Sequence, residues 1–189
     1  MMVFFIPLTV SAGNPKAEDC TASDVVVPSG DIKDPNPPSN LTGGGSPKAT
    51  GGPDAFGYTY IDSTEPGGPT YQWIDISSTG TNVPITDDDR WGPFNIGFSM
   101  PFYGSSYTQF WASSNGWISL GGTDPGTSGI TNQCPFPNTT TPNAVIGGIW
   151  DDLDQNTSTP EGTGYYQAFP AGTCPYGSYA GACLVVEWY

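Results

Sequence analysis

The sequence predicts an all-β fold, an antiparallel β-sandwich preceded by an extended Pro/Gly-rich arm, and three observations predict it. Glycine and proline account for 26 and 20 of the 189 residues, and both disfavour helix interiors and mark turns. Aromatic residues make up 13% and hydrophobic ones 36%, which supplies a β-rich core and is too apolar for a wholly disordered chain. After Asp54, short runs of strand-forming residues recur, each bounded by turn residues.

In chain order, residues 1–10 are the apolar run MMVFFIPLTV, followed by the small residues Ser11 and Ala12. Residues 1–12 therefore read as a signal-peptide remnant, without the basic start such a leader carries. A buried N-terminal strand is the alternative, and the run is too short to span a bilayer. Residues 13–54 form a Pro/Gly-rich linker or arm, where Pro28, Pro35, Pro37, Pro38, Pro47 and Pro53 alternate with Gly43 to Gly45. Few large side chains there offset the entropy of ordering, and Val25 to Val27 make the arm's one edge-strand candidate.

Residues 55–189 are expected to form the sandwich, with strands at 56–61, 71–76, 94–98, 108–112, 117–120, 144–150, 165–169 and 183–188. Phe56, Tyr58 and Tyr60 alternate with small or polar neighbours, as half-buried antiparallel strands do. Asn115-Gly116, between FWAS and WISL, is the strongest hairpin signal, because both residues tolerate the positive φ of a tight turn. The run at 182–189 ends without a turn, which predicts a longer polypeptide continuing past Tyr189; a docked C-terminal strand is the alternative.

Charge and cysteine content restrict function. Eighteen acidic residues face four basic ones, a net charge of -14, so neither nucleic acid nor an anionic membrane is expected as partner. Residues 55–189 hold twelve of the acidic residues and Arg90 alone of the basic ones. Histidine is absent, which removes Ser-His-Asp and Cys-His catalysis and His-ligated zinc. Cys20, Cys134, Cys174 and Cys183 form an even set without CxxC spacing, read as disulfides of an exported chain. Three pairings are open; Cys174 with Cys183, closing an eight-residue loop, leaves Cys20 to pair with Cys134.

The sharpest polar cluster is WDDLDQN at 150–156. Alternate side chains of a strand share a face, so Asp152, Asp154 and Asn156 form a candidate calcium site, weighed against a solvated acidic loop. Asp87 to Asp89 before Arg90 is a second candidate, weighed against a polar loop in which Arg90 pairs with one carboxylate. Asp151, Asp152, Asp154, Glu161 and Glu187 could supply a glycosidase pair, with Trp73, Trp91, Trp111 and Trp117 as sugar platforms; in a β-sandwich such aromatics are more often core. No GxSxG elbow or phosphate loop is present.

FSMPFYG at 98–104, SSNGWISL at 113–120, PNAVI at 142–146 with WDDLD at 150–154, GYY at 164–166 and VVEW at 185–188 occur in that order. The order resembles nidogen-like extracellular domains and related β-sandwich modules of large bacterial secreted proteins, over about residues 56 to 189. The resemblance implies a non-catalytic extracellular module, with no catalytic residues to carry over. The chain departs from the pattern in its cysteines at 174 and 183 and in stopping where a full domain would continue.

The expectation is thus a secreted or cell-surface module, not an enzyme, used for adhesion, spacing or accessory binding in a larger protein. Its expected partner is a cell-surface or matrix protein, a glycan, or copies of itself, and its only candidate cofactor is calcium. One alternative is a self-assembling subunit of an extracellular filament or sheath, in which the arm of one copy completes the sheet of the next. The other is a carbohydrate-binding or glycan-cleaving module using Asp, Glu and Trp.

Overall fold

The computed structural model describes residues 2–3, 50–63, 65–126, 141–148 and 163–188. No helix occurs among them; the strands are β1 (Met2–Val3), β2 (Thr50–Gly51), β3 (Tyr60–Ile61), β4 (Thr81–Pro84), β5 (Arg90–Phe102), β6 (Ser105–Ser113), β7 (Trp117–Leu120), β8 (Val145–Gly147), β9 (Thr163–Phe169) and β10 (Cys183–Trp188). The described residues fall into two compact units, 50–71 without residue 64 in one and the remainder in the other.

In the smaller unit β2 and β3 pair antiparallel, Thr50 opposite Ile61 and Gly51 opposite Tyr60. The strand expected over 56–61 is therefore only two residues long. Asp54 explains the difference: its Oδ1 accepts hydrogen bonds from the backbone N–H groups of Phe56 at 2.8 Å and Tyr58 at 2.9 Å. A carboxylate that takes up backbone donors in this way competes with a ladder.

In the larger unit two four-stranded antiparallel sheets run in the orders β1-β10-β9-β4 and β5-β6-β7-β8. Their facing sides share one core, to which Val83, Val186 and Trp188 come from the first sheet and Ile96, Met100, Phe110, Ala112, Ile118 and Leu120 from the second. Two sheets closing on one apolar layer make this a β-sandwich. Tyr166 of β9 packs across the layer against Phe94 and Phe110, with ring centroids 4.7 and 5.4 Å apart. At one corner Trp188 Nε1 donates to the Ser113 carbonyl at 2.7 Å, so a polar bond also joins the sheets.

Strands expected at 117–120 and 183–188 have those bounds. The strand expected at 94–98 is longer, running through Pro93 and Pro101, because β5 is the last strand of its sheet and its register shifts at Trp91/Phe94 and Asn95/Met100. An edge position with bulges accommodates residues that donate no hydrogen bond. β4 was not legible, since TNVP offers only Val83 to the core.

The tight turns differ from expectation in an informative way. β5 and β6 are joined by Tyr103 and Gly104 alone, with φ of 45° and 75°, the two-residue turn whose twist matches a hairpin. At the Asn115-Gly116 hairpin only Gly116 has positive φ, at 74°. Ser114, Asn115 and Gly116 together connect β6 to β7, and Asn115 turns inward, where it is fully buried.

No strand forms at 71–76. Residues 72–80 instead cross the outer face of the first sheet, where Ile74 and Ile76 pack on Val185 in a second small core. Asp75 Oδ1 accepts from both the N–H and the hydroxyl of Ser77, and Ile76 N–H donates to a side chain, so neither donor is available to a ladder. Gln72 clasps the neighbouring loop by donating to the Pro175 carbonyl at 2.7 Å and accepting from Gly177 N–H at 2.9 Å.

Candidate functional site

Polar groups converge at two places in the larger unit. The first is the corner where the chain enters β5. Ser113, Ser114 and Asn115 are wholly buried there, a costly position for polar groups unless each finds a partner. Ser114 N–H donates to the Asp89 carbonyl at 3.0 Å, Asp89 N–H to Ser114 Oγ at 3.3 Å, and Asn115 N–H to Ser113 Oγ at 3.2 Å. Ser114 Oγ also donates to Asn115 Oδ1 at 3.1 Å. Backbone and short side chains thus consume one another's capacity, and the corner is a joint between strands.

Arg90 lies beside this joint. Its Nε and second terminal nitrogen reach the two oxygens of Asp124 at 2.6 and 3.1 Å, while Asp89 stands 4.0 Å away. The bidentate bond to Arg90, followed by the Gly126 N–H, holds the Asp124 carboxyl below the usual range. Sequence reasoning expected Arg90 to pair with one carboxylate but did not name Asp124, 34 residues away. The fork geometry of guanidinium and carboxylate favours such a pair, but only the fold brings Asp124 there.

The second place is Glu187 on β10, fully buried. Its Oε2 accepts the Ile76 N–H at 3.0 Å, while Oε1 has no hydrogen-bond partner among the described residues. Burial pushes its carboxyl above the ordinary range, the Ile76 bond opposes that, and the nearby charge of Asp75 adds to it. Closed off from solvent, Glu187 is poorly placed to act on an external substrate.

Of the glycosidase candidates, Glu187 alone lies among the described residues; Asp151, Asp152, Asp154 and Glu161 lie outside them, as does the calcium candidate of Asp152, Asp154 and Asn156. No described tryptophan is exposed: Trp117 is buried, and Trp73, Trp91 and Trp111 are half-buried. The exposed aromatics are Phe56, Tyr60 and Tyr71 in the smaller unit and Tyr103 in the larger. Among the described residues, no three or more acidic or cysteine side chains form a metal-holding group, and no helix is long and apolar enough to cross a membrane.

Cys174 and Cys183 are joined by a disulfide, their Cα atoms 5.7 Å apart. It closes the loop that Gln72 clasps, at the start of β10; Cys20 and Cys134 lie outside the described residues. Structural disulfides form and persist mainly in oxidising compartments.

A family model described as NIDO related matches residues 59–189. Neither the curated proteins nor the solved structures contain a match to the chain.

Proposed function

The chain belongs to the nidogen-related family, a family of non-enzymatic modules, and on that premise we propose that it serves outside the cell in adhesion, spacing or accessory binding within a larger secreted or surface protein. The family match carries the reading, and the Cys174–Cys183 disulfide supports it. Phe56, Tyr60 and Tyr71 offer exposed aromatic faces suited to contact with a protein or a glycan. Two of the described carboxylates suit holding the fold: Glu187 is enclosed and Asp124 is tied to Arg90.

The test is to immobilise the chain and present panels of matrix proteins and glycans, with polysaccharide turnover and light scattering measured on the same preparation. Saturable binding by a monomer, without turnover, is the expected outcome. Release of sugars from a polysaccharide would replace this reading with a glycan-cleaving module. Concentration-dependent polymers, lost when residues 13–54 are deleted, would replace it with a filament subunit.

A further inference from the structure

Glu187 is the only charged side chain buried among the described residues. Alternation along β10 explains its position. Val186 and Trp188 point into the core between the sheets, while Val185 and Glu187 point to the opposite face, beneath residues 72–80. That covering segment forms no ladder with the sheet. Neutral side chains fasten its ends, Gln72 to Pro175 and Gly177 and Thr79 Oγ1 to Gln167 Oε1 at 2.7 Å. Its middle is fastened by Ile74, Ile76 and the bond from Ile76 N–H to Glu187.

We propose that Glu187 is a proton-controlled latch, holding residues 72–80 closed on the outer face of the sheet when protonated and loosening them when ionised. A neutral carboxyl fits the enclosed position, because Oε2 still accepts the Ile76 N–H and no charge is stripped of water. An ionised one keeps that bond, and strengthens it, but buries a charge whose Oε1 has no partner among the described residues; one hydrogen bond does not replace a carboxylate's hydration. Among the described residues, none beside Glu187 supplies a counter-charge. The covering segment contributes Asp75, which repels; β9 contributes the phenol of Tyr165 opposite Glu187; the loop before β10 contributes the phenol of Tyr176, packed on the same small core; β4 contributes no titratable side chain.

A carboxyl raised in the folded state stabilises fully below its ordinary value, and that contribution is lost as pH rises through the raised one. The latch therefore opens toward neutral and alkaline pH. The readout is amide-exchange protection at Ile76, corrected for intrinsic exchange, at about pH 5 and about pH 8. In the wild type it should fall roughly tenfold or more between the two. In Glu187→Gln, whose carboxamide accepts the same bond and cannot ionise, it should stay level. Wild-type protection that does not fall, or an equal fall in Glu187→Gln, would overturn the latch. A second measurement needs only the wild type: the Glu187 carboxyl carbon, followed by NMR, should titrate above the ordinary Glu range and in step with Ile76. A midpoint at or below that range overturns the latch whether or not the variant folds.

Discussion

Phe110 has no exposed surface and packs between Phe94, 5.6 Å away between ring centroids, and Tyr166 of the opposite sheet. Truncating it leaves a void where the sheets meet, so Phe110→Ala should cost about 3 to 5 kcal/mol in urea denaturation. Tyr71→Ala, at a side chain 82% exposed, should change stability by no more than about 0.5 kcal/mol. Gly104 completes a turn in which both central residues have positive φ; Gly104→Ala should cost about 1 to 2 kcal/mol by the same assay. Asp124 gives a pH-dependent prediction. Its lowered carboxyl contributes stability that is present above the ordinary Asp value and lost as pH falls through the lowered one. Asp124→Asn should therefore be less stable than the wild type at neutral pH, and the two should converge on acidification; a difference that persists unchanged in acid would show that Arg90 and Asp124 contribute no such linkage.

Among elements, the strands legible in the sequence are those whose apolar runs are buried on at least one side and lack competing side chains. Trp117–Leu120 and Cys183–Trp188 are of this kind, every residue but Leu184 being buried. Runs at 56–61 and 71–76 also alternate aromatic residues, yet Asp54 and Glu187 take up backbone donors within them, and Asp75 takes up that of Ser77 just beyond. The three bonds to Asp54 and Asp75 are local, and those to Phe56 and Ser77 are readable in principle as Asx turns; the Glu187 bond spans 111 residues and is not. The disulfide was legible because its loop is short. Replacing both Cys174 and Cys183 with serine should cost roughly 2 to 3 kcal/mol by the chain-entropy argument. Unfolding of the variant under oxidising conditions, compared with the wild type, measures it, and an unchanged midpoint would mean that Gln72 and the loop's own hydrogen bonds already hold this end of the sandwich.

For the whole molecule, three of the motifs that resembled a known family specify corners and a buried strand. The Tyr-Gly of PFYG is a two-residue turn, the SSN of the next motif is the buried joint at Asp89, and VVEW is the strand shared by both cores. Such motifs carry a fold, which is why family membership was readable while a ligand was not. The site reading depended instead on carboxylates, and a chain with 18 acidic residues offers many combinations of those. Placing Arg90 against Asp124 and enclosing Glu187 are tertiary facts, set by pairings far apart in sequence. The central claim, a nidogen-related module working outside the cell, is tested most directly by the thiol state and location of the protein in the cells that make it. Free thiols are alkylated before reduction, and the peptides of each cell fraction are then mapped by mass spectrometry. Cys174 and Cys183 are predicted to be bridged, in material outside the cytoplasm; the same cysteines alkylated as free thiols in a cytoplasmic fraction would contradict it.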